Sequence, residues 1–114
     1  YHGMAPSLSA LYDAGLVDAV AVTQKDVFEA AVLFTQTEGT LPAPESAHAI
    51  RTAIDEALDA KRLGEKRVIL FNLSGHGNFD LAAYHAYTSG MLEDYDVPEE
   101  AIATILDRVP NVVV

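Results

Sequence analysis

Three short stretches of this 114-residue chain carry side chains that could do chemistry. The first, FNLSGHG at residues 71–77, places Ser74 and His76 beside two glycines directly after the apolar run RVIL. A neutral hydroxyl at that point can donate or accept a hydrogen bond, and Gly75 and Gly77 let a flat ligand come close to the backbone. The competing reading is a turn serine with glycines supplying unusual backbone angles, because S-G-x-G is a weak motif by itself. The second stretch, PAPESAH, fixes Glu45 at the beginning of a helix, where the plain reading is a first-turn acid favoured by the helix dipole. His48 follows three residues later, but the pair falls short of the three or four ligands a zinc site needs. In the third, LVDAVAV, Asp18 interrupts an apolar run. An unpaired buried carboxylate is costly, so Asp18 either reaches water or has a partner. For His2, His76 and His85 the structural reading is favoured, since nothing nearby makes a nucleophile–base pair. G-x-S-x-G, P-loop and dinucleotide fingerprints are absent.

These residues need elements to hold them. Leu8, Leu11 and Tyr12 have helical spacing over Pro6–Asp13, with Gly15 placed to end the turn. LVDAVAV reads as a buried strand at about 16–22. Thr23 and Asp26 form a capping-box-like start for a helix with Val27, Ala30, Ala31 and Phe34 on one face, running to Glu38 and stopping at Gly39. TLPAPES is a fixed, non-helical connection. A helix from about Glu45 to Leu63 follows, with Ile50, Ile54, Ala57 and Leu58 on one face and Gly64 beyond its end. RVILFNL, apolar on both alternations, reads as a second strand covered on both faces. A helix spans Phe79–Thr88, and a last one, opened by Asp96 and Pro98, carries Ile102, Ile105, Leu106 and Val109. The expected class is therefore α/β: residues 1–114 form a single unit with two parallel strands flanked by about five helices. Two strands are too few for a covered parallel sheet. Together with Tyr1 in place of an initial Met, this suggests a piece of something longer, with exposed strand edges that pair with another chain or a second copy.

Composition excludes several function classes. Seventeen acids against seven bases give a net charge of −10, a field that repels nucleic acid and anionic membrane surfaces. The acids fall on helix faces (Asp55, Glu56, Asp59) and in a C-terminal cluster (Glu93, Asp94, Asp96, Glu99, Glu100), which reads as solvated surface. No apolar run approaches the roughly 18–20 residues that span a bilayer, and no leader-like segment opens the chain. Cysteine is absent, which fits a cytoplasmic protein and leaves no disulfide framework or thiolate metal site.

Taken together, YHGMAPSLSALYDAGLVDAVAV, TEGTLPAPESAHAI, ILFNLSGHGNFDLAAY and the trailing SGMLEDYDVPEEAIATILDRVPNV closely resemble the C-terminal third of a tryptophan synthase β-chain, in particular its second, divergent type. The resemblance implies the C-terminal part of a larger two-domain, fold-type-II pyridoxal-phosphate lyase. Such an enzyme replaces the hydroxyl of L-serine with indole to make L-tryptophan, sometimes with an α-chain partner. It further implies that Ser74 hydrogen-bonds the pyridine nitrogen of the cofactor, with Gly75 beside it, and that Glu45 lies next to the ring. Asp18 matches an aspartate that contacts the serine substrate and helps to close the site, and the carbonyls of Ala19 and Ala21 match a monovalent-cation site. The family's Schiff-base lysine, the histidine before it and the glycine-rich phosphate loop belong to earlier parts of the family's chain and have no counterpart here. Lys25, Lys61 and Lys66 fall at a helix start and in a charged turn. The expectation is a chain inactive alone. The alternative is a free-standing folding or assembly module that binds no cofactor tightly.

Overall fold

The computed structural model describes residues 5–95 and 98–106. Five α-helices follow one another: α1 (Pro6–Asp13), α2 (Gln24–Glu38), α3 (Pro44–Leu63), α4 (Leu81–Thr88) and α5 (Glu99–Leu106), with one 3-10 turn, Gly77–Phe79, leading into α4. Local signals explain where they begin and end. The Thr23 hydroxyl accepts from the Asp26 amide at 3.4 Å, which caps α2, and donates to the Asp26 carboxylate at 2.8 Å. The Asp94 carboxylate accepts a further orphan amide, that of Lys25, at 2.9 Å. That acid of the C-terminal cluster is therefore a helix cap as well as surface. Gly39 and Gly64 end α2 and α3 in the left-handed region, both at φ 70°. Asp96 and Val109, expected to open and line the last helix, lie outside the described residues, as does His2.

The core is the α2–α3 pair closed by α4. Val27, Phe28, Ala31, Ala47 and Tyr84 are buried together, with Val22, Leu41, Tyr87 and Leu92 packed around them. Phe28 sits edge-on to Tyr84 at 5.1 Å and stacks on Tyr87 at 5.8 Å, geometries that the ring quadrupoles favour. At the edge of the pair, Arg51 reaches Glu29 on α2 at 3.6 Å while also bonding Asp55 one turn along its own helix. The expected stripes are only partly covered: Ile50 is 2% exposed, whereas Ala57 and Leu58 face solvent and α1 buries no residue.

Among the described residues there is no β-strand, and this overturns the expected α/β class with its two parallel strands. Residues 17–22 and 66–73 run without regular structure, and among the described residues no main-chain to main-chain hydrogen bond outside the helices engages either of them. A trench of about 460 Å³ separates them, with Asp18 and Val20 on one wall, Ile69 and Phe71 on the other, and His48 and Thr52 of α3 between. Apolarity on both alternations predicts a strand only if a neighbouring backbone is within pairing distance. Here the two candidate strands stand apart. Val68 and Leu70 are 102% and 96% exposed as a result, and Val20 71%. The accessible surface of 9220 Å² compares with roughly 6,100 Å² for a compact protein of this mass.

Two expectations follow for the chain in solution. Ile50→Ala should cost about 2–5 kcal/mol and Val68→Ser no more than about 0.5 kcal/mol, read as shifts in the urea midpoint. Tyr84 supplies a pH test. Burial, with the charge of Asp80 second, pushes its phenol from the ordinary 10 up to about 12. The folded chain keeps a proton that the unfolded chain gives up above pH 10, so this contribution is fully present below pH 10 and is lost as pH rises toward 12. Tyr84→Phe should remove that part of the alkaline slope, and urea midpoints measured from about pH 9 to 12 check it.

Candidate functional site

Two loops are clasped together at the N-terminal end of α3. The connection Leu41–Ala43 leads into that helix, and Ser74–Gly77 leads into the 3-10 turn. The Gly77 amide donates to the Leu41 carbonyl at 2.9 Å, and the Tyr84 phenol donates to the Pro42 carbonyl at 2.6 Å. Ser46, in the first turn of α3, donates its hydroxyl proton to the Ser74 carbonyl. The same oxygen accepts the Ser74 amide at 3.2 Å and lies 3.4 Å from the Ser74 hydroxyl. The two glycines serve different needs. At Gly77 an added Cβ would stand 2.5 Å from the Pro42 carbonyl oxygen and 2.9 Å from Tyr84, so space excludes a side chain. At Gly75 a Cβ would make only an ordinary 3.4 Å contact with Ala43, but φ is +71°, a left-handed angle that side chains resist.

The expected site residues divide into two groups. Ser74 and Gly75 are brought against the first turn of α3, in which Glu45 directly precedes Ser46, and all three are exposed. Asp18 is exposed on the trench wall, so its charge stays in water and needs no buried partner. The trench wall Ile69–Phe71 runs on to Ser74 three residues later, and His48 borders the trench one helical turn from Glu45. Ala19 and Ala21 are also exposed residues; Ala21 borders a second recess, of about 410 Å³, with Thr23, His48 and Asp94.

The histidines have local partners. His48 Nδ1 lies 3.1 Å from the Pro44 carbonyl, and His76 Nδ1 accepts the Asn78 amide at 3.3 Å with its ring tilted on Phe79. No group of three or more His, Asp or Glu side chains that could hold a metal ion occurs among the described residues. Lys61 lies fifteen residues beyond Ser46 on α3, about 22 Å along the axis, and Lys25 opens α2.

The sequence reading missed Ser46, Tyr84 and the Pro42 carbonyl. Ser46 had a signal. It shares the buried stripe of α3 with Ala47 and Ile50, and a polar residue on such a stripe needs a partner across the interface. The role of Pro42 had none, because a main-chain carbonyl carries no residue type.

Chemically the clasp presents one hydroxyl with no charge of its own, beside an acid and an open glycine. That suits hydrogen bonding to a neutral or weakly basic heteroatom better than gripping an anion. No family model matches the chain. Over 111 residues, 97% of its length, it is 57% identical to a tryptophan synthase beta chain of Pyrococcus horikoshii, of which that region is 24%. It is 64% identical over 94 residues to tryptophan synthase beta chain 2 of Aquifex aeolicus, and 63% identical over 93 residues to that of Methanosarcina mazei. These regions cover 82% of the chain in each case and 22% and 21% of the relatives. The chain thus spans about a quarter of the length of the curated relatives it matches. By sequence it belongs to the tryptophan synthase beta-chain family.

Proposed function

We propose that this chain is the part of a tryptophan synthase β-type lyase that supplies the pyridine-nitrogen contact and one wall of the active site. Its substrates in the assembled enzyme are L-serine and indole, and its cofactor is pyridoxal phosphate. The observation that supports this reading is the clasp: an exposed Ser74 hydroxyl whose main chain is held on both sides by Ser46. Bound pyridoxal phosphate supplies the electron-withdrawing ring for the β-replacement.

The residues of this chain orient and tune that ring. Ser74 offers a neutral donor to the ring nitrogen, which leaves it largely unprotonated where a carboxylate would favour the charged form. Glu45 stands beside the ring, and Gly75 leaves its approach open. Asp18 faces the side chain of the serine substrate, and the carbonyls of Ala19 and Ala21 are offered to a monovalent cation. The lysine that carries the cofactor, and the loop that binds its phosphate, come from the rest of the β-chain, so this chain is inactive by itself; an α-chain is a further partner. The uncovered apolar segments around Val68 and Leu70 favour a second reading, a folding or assembly module that pairs with another chain or a second copy and binds no cofactor tightly.

One experiment separates the two. Pyridoxal phosphate added to the isolated chain should give no specific visible absorption band. A band should appear when the chain replaces the matched 111 residues of the Pyrococcus horikoshii relative. A chimera that assembles without binding the cofactor would favour the module. A band from the isolated chain, abolished by replacing Lys25, Lys61 or Lys66, would overturn the catalytic reading.

A further inference from the structure

Ser46 is 6% exposed and, besides the Tyr84 phenol, is the one buried polar side chain among the described residues. Hydroxyls in helices usually return to a carbonyl of the preceding turn. Thr35, Thr37, Thr52 and Thr88 do so here. Ser46 instead crosses to a residue 28 positions away and engages it three times: it donates to the Ser74 carbonyl, accepts the Ser74 amide at 3.2 Å, and lies 3.4 Å from the Ser74 hydroxyl. One side chain therefore satisfies both main-chain groups of Ser74, and the Gly77 amide on the Leu41 carbonyl holds the segment three residues further on. The peptide planes on either side of Ser74 are fixed, and with them the direction in which its Cβ points.

Counting protons adds a second consequence. A hydroxyl has one proton and two acceptor sites, and Ser46 has given its proton to the Ser74 carbonyl. Only Ser74 can then donate across the 3.4 Å contact between the two hydroxyls, and a bond that long is weak. The Ser74 proton is thus uncommitted, and a better acceptor can take it. We propose that Ser46 is a positioning residue that fixes Ser74 and leaves its hydroxyl poised to donate to an unprotonated ring nitrogen. This rests on the assignment of Ser74 to that nitrogen.

The test uses the full-length chimera with the Pyrococcus horikoshii relative, loaded with pyridoxal phosphate, in Ser46→Ala, Ser74→Ala and doubly substituted forms. Three quantities are read: the cofactor dissociation constant, the pH midpoint at which the bound cofactor's visible band changes, and the melting temperature. Ser46→Ala should move the midpoint in the same direction as Ser74→Ala, by less, and weaken cofactor binding roughly three- to tenfold. The double variant should be no worse than Ser74→Ala alone, because Ser46 acts through Ser74. If Ser74→Ala moves the band while Ser46→Ala lowers only the melting temperature, the positioning role is wrong and the Ser74 assignment stands. Additive effects in the double variant would also overturn the positioning role. If Ser74→Ala moves nothing, both fall. Should Ser46→Ala fail to fold, Ser46→Cys, of similar size with a weaker donor, decides: an intermediate midpoint supports the role and an unshifted one ends it.

Discussion

The union of two loops that are far apart in sequence is the constraint on which the rest of the structure depends. Leu41–Ala43 and Ser74–Gly77 are joined by the Gly77 amide, by the Tyr84 phenol on the Pro42 carbonyl, and by the Ser46 hydroxyl on both main-chain groups of Ser74. Each of these groups would be costly to leave unpaired where it is buried. The join is also steric, since Gly77 lies so close to Pro42 and Tyr84 that no side chain fits. Tyr84 belongs at once to the core and to the clasp, because its ring packs on Phe28 while its hydroxyl holds the loop. Packing of α4 on α2 and placement of Ser74 are consequently one event, and a core defect at Phe28 would be felt at the site.

Helices were legible in the sequence because their signals are local. Thr23 with Asp26, Gly39 and Gly64 each act within a turn of their own position and mark helix ends in the structure, whereas Pro44, expected in the non-helical connection TLPAPES, opens α3 instead. The sheet was misread for the complementary reason. RVILFNL and LVDAVAV have the composition of covered strands, but a strand is a relation between two backbones, and composition says nothing of whether a second lies alongside. Phe71 shows how the segment is held instead: its ring packs edge-on against Phe34 of α2 at 6.2 Å, an anchorage by side chain alone. The site was legible in part. Ser74 and Glu45 were singled out by type and position but took their expected roles only from the family resemblance, whereas the carbonyls of Leu41 and Pro42 have no sequence signature, and Ser46 shows itself only as a polar residue on a buried stripe.

Charge and apolar surface divide the molecule between two functions. Three acids of α3 are paired with arginines, Asp55 with Arg51, Asp59 with Arg62, and Glu56 with Arg67. These pairs are solvent-facing and contribute little to stability; with a net charge of −10, they serve solubility instead. Val20, Val68 and Leu70 have no such explanation. Isolated exposed apolar side chains are ordinary, but Val20 and Leu70 line one trench, Val68 precedes that wall by one residue, and among the described residues the main chain of both segments makes no pairing outside the helices. Apolar side chains and open backbone groups lie in the same place, which sets the requirement that any covering partner would have to meet.

That requirement bears directly on the site, because the uncovered segment and the clasp are continuous. Leu70 and Phe71 border the trench, and Ser74 is reached three residues past Phe71. Ser46 fixes the main chain of Ser74 from the α3 side only, through one hydroxyl with one proton. Ser74 as a residue is exposed, although its hydroxyl lies 3.4 Å from that of Ser46. A partner that buries Val68 and Leu70 would also remove water from the neighbourhood of Ser74, and a hydrogen bond donated there would gain strength as the local dielectric falls. Covering the apolar surface and strengthening the polar contact are therefore coupled, which gives a physical reason for an otherwise exposed clasp to be preformed in a chain that spans only a quarter of its relatives.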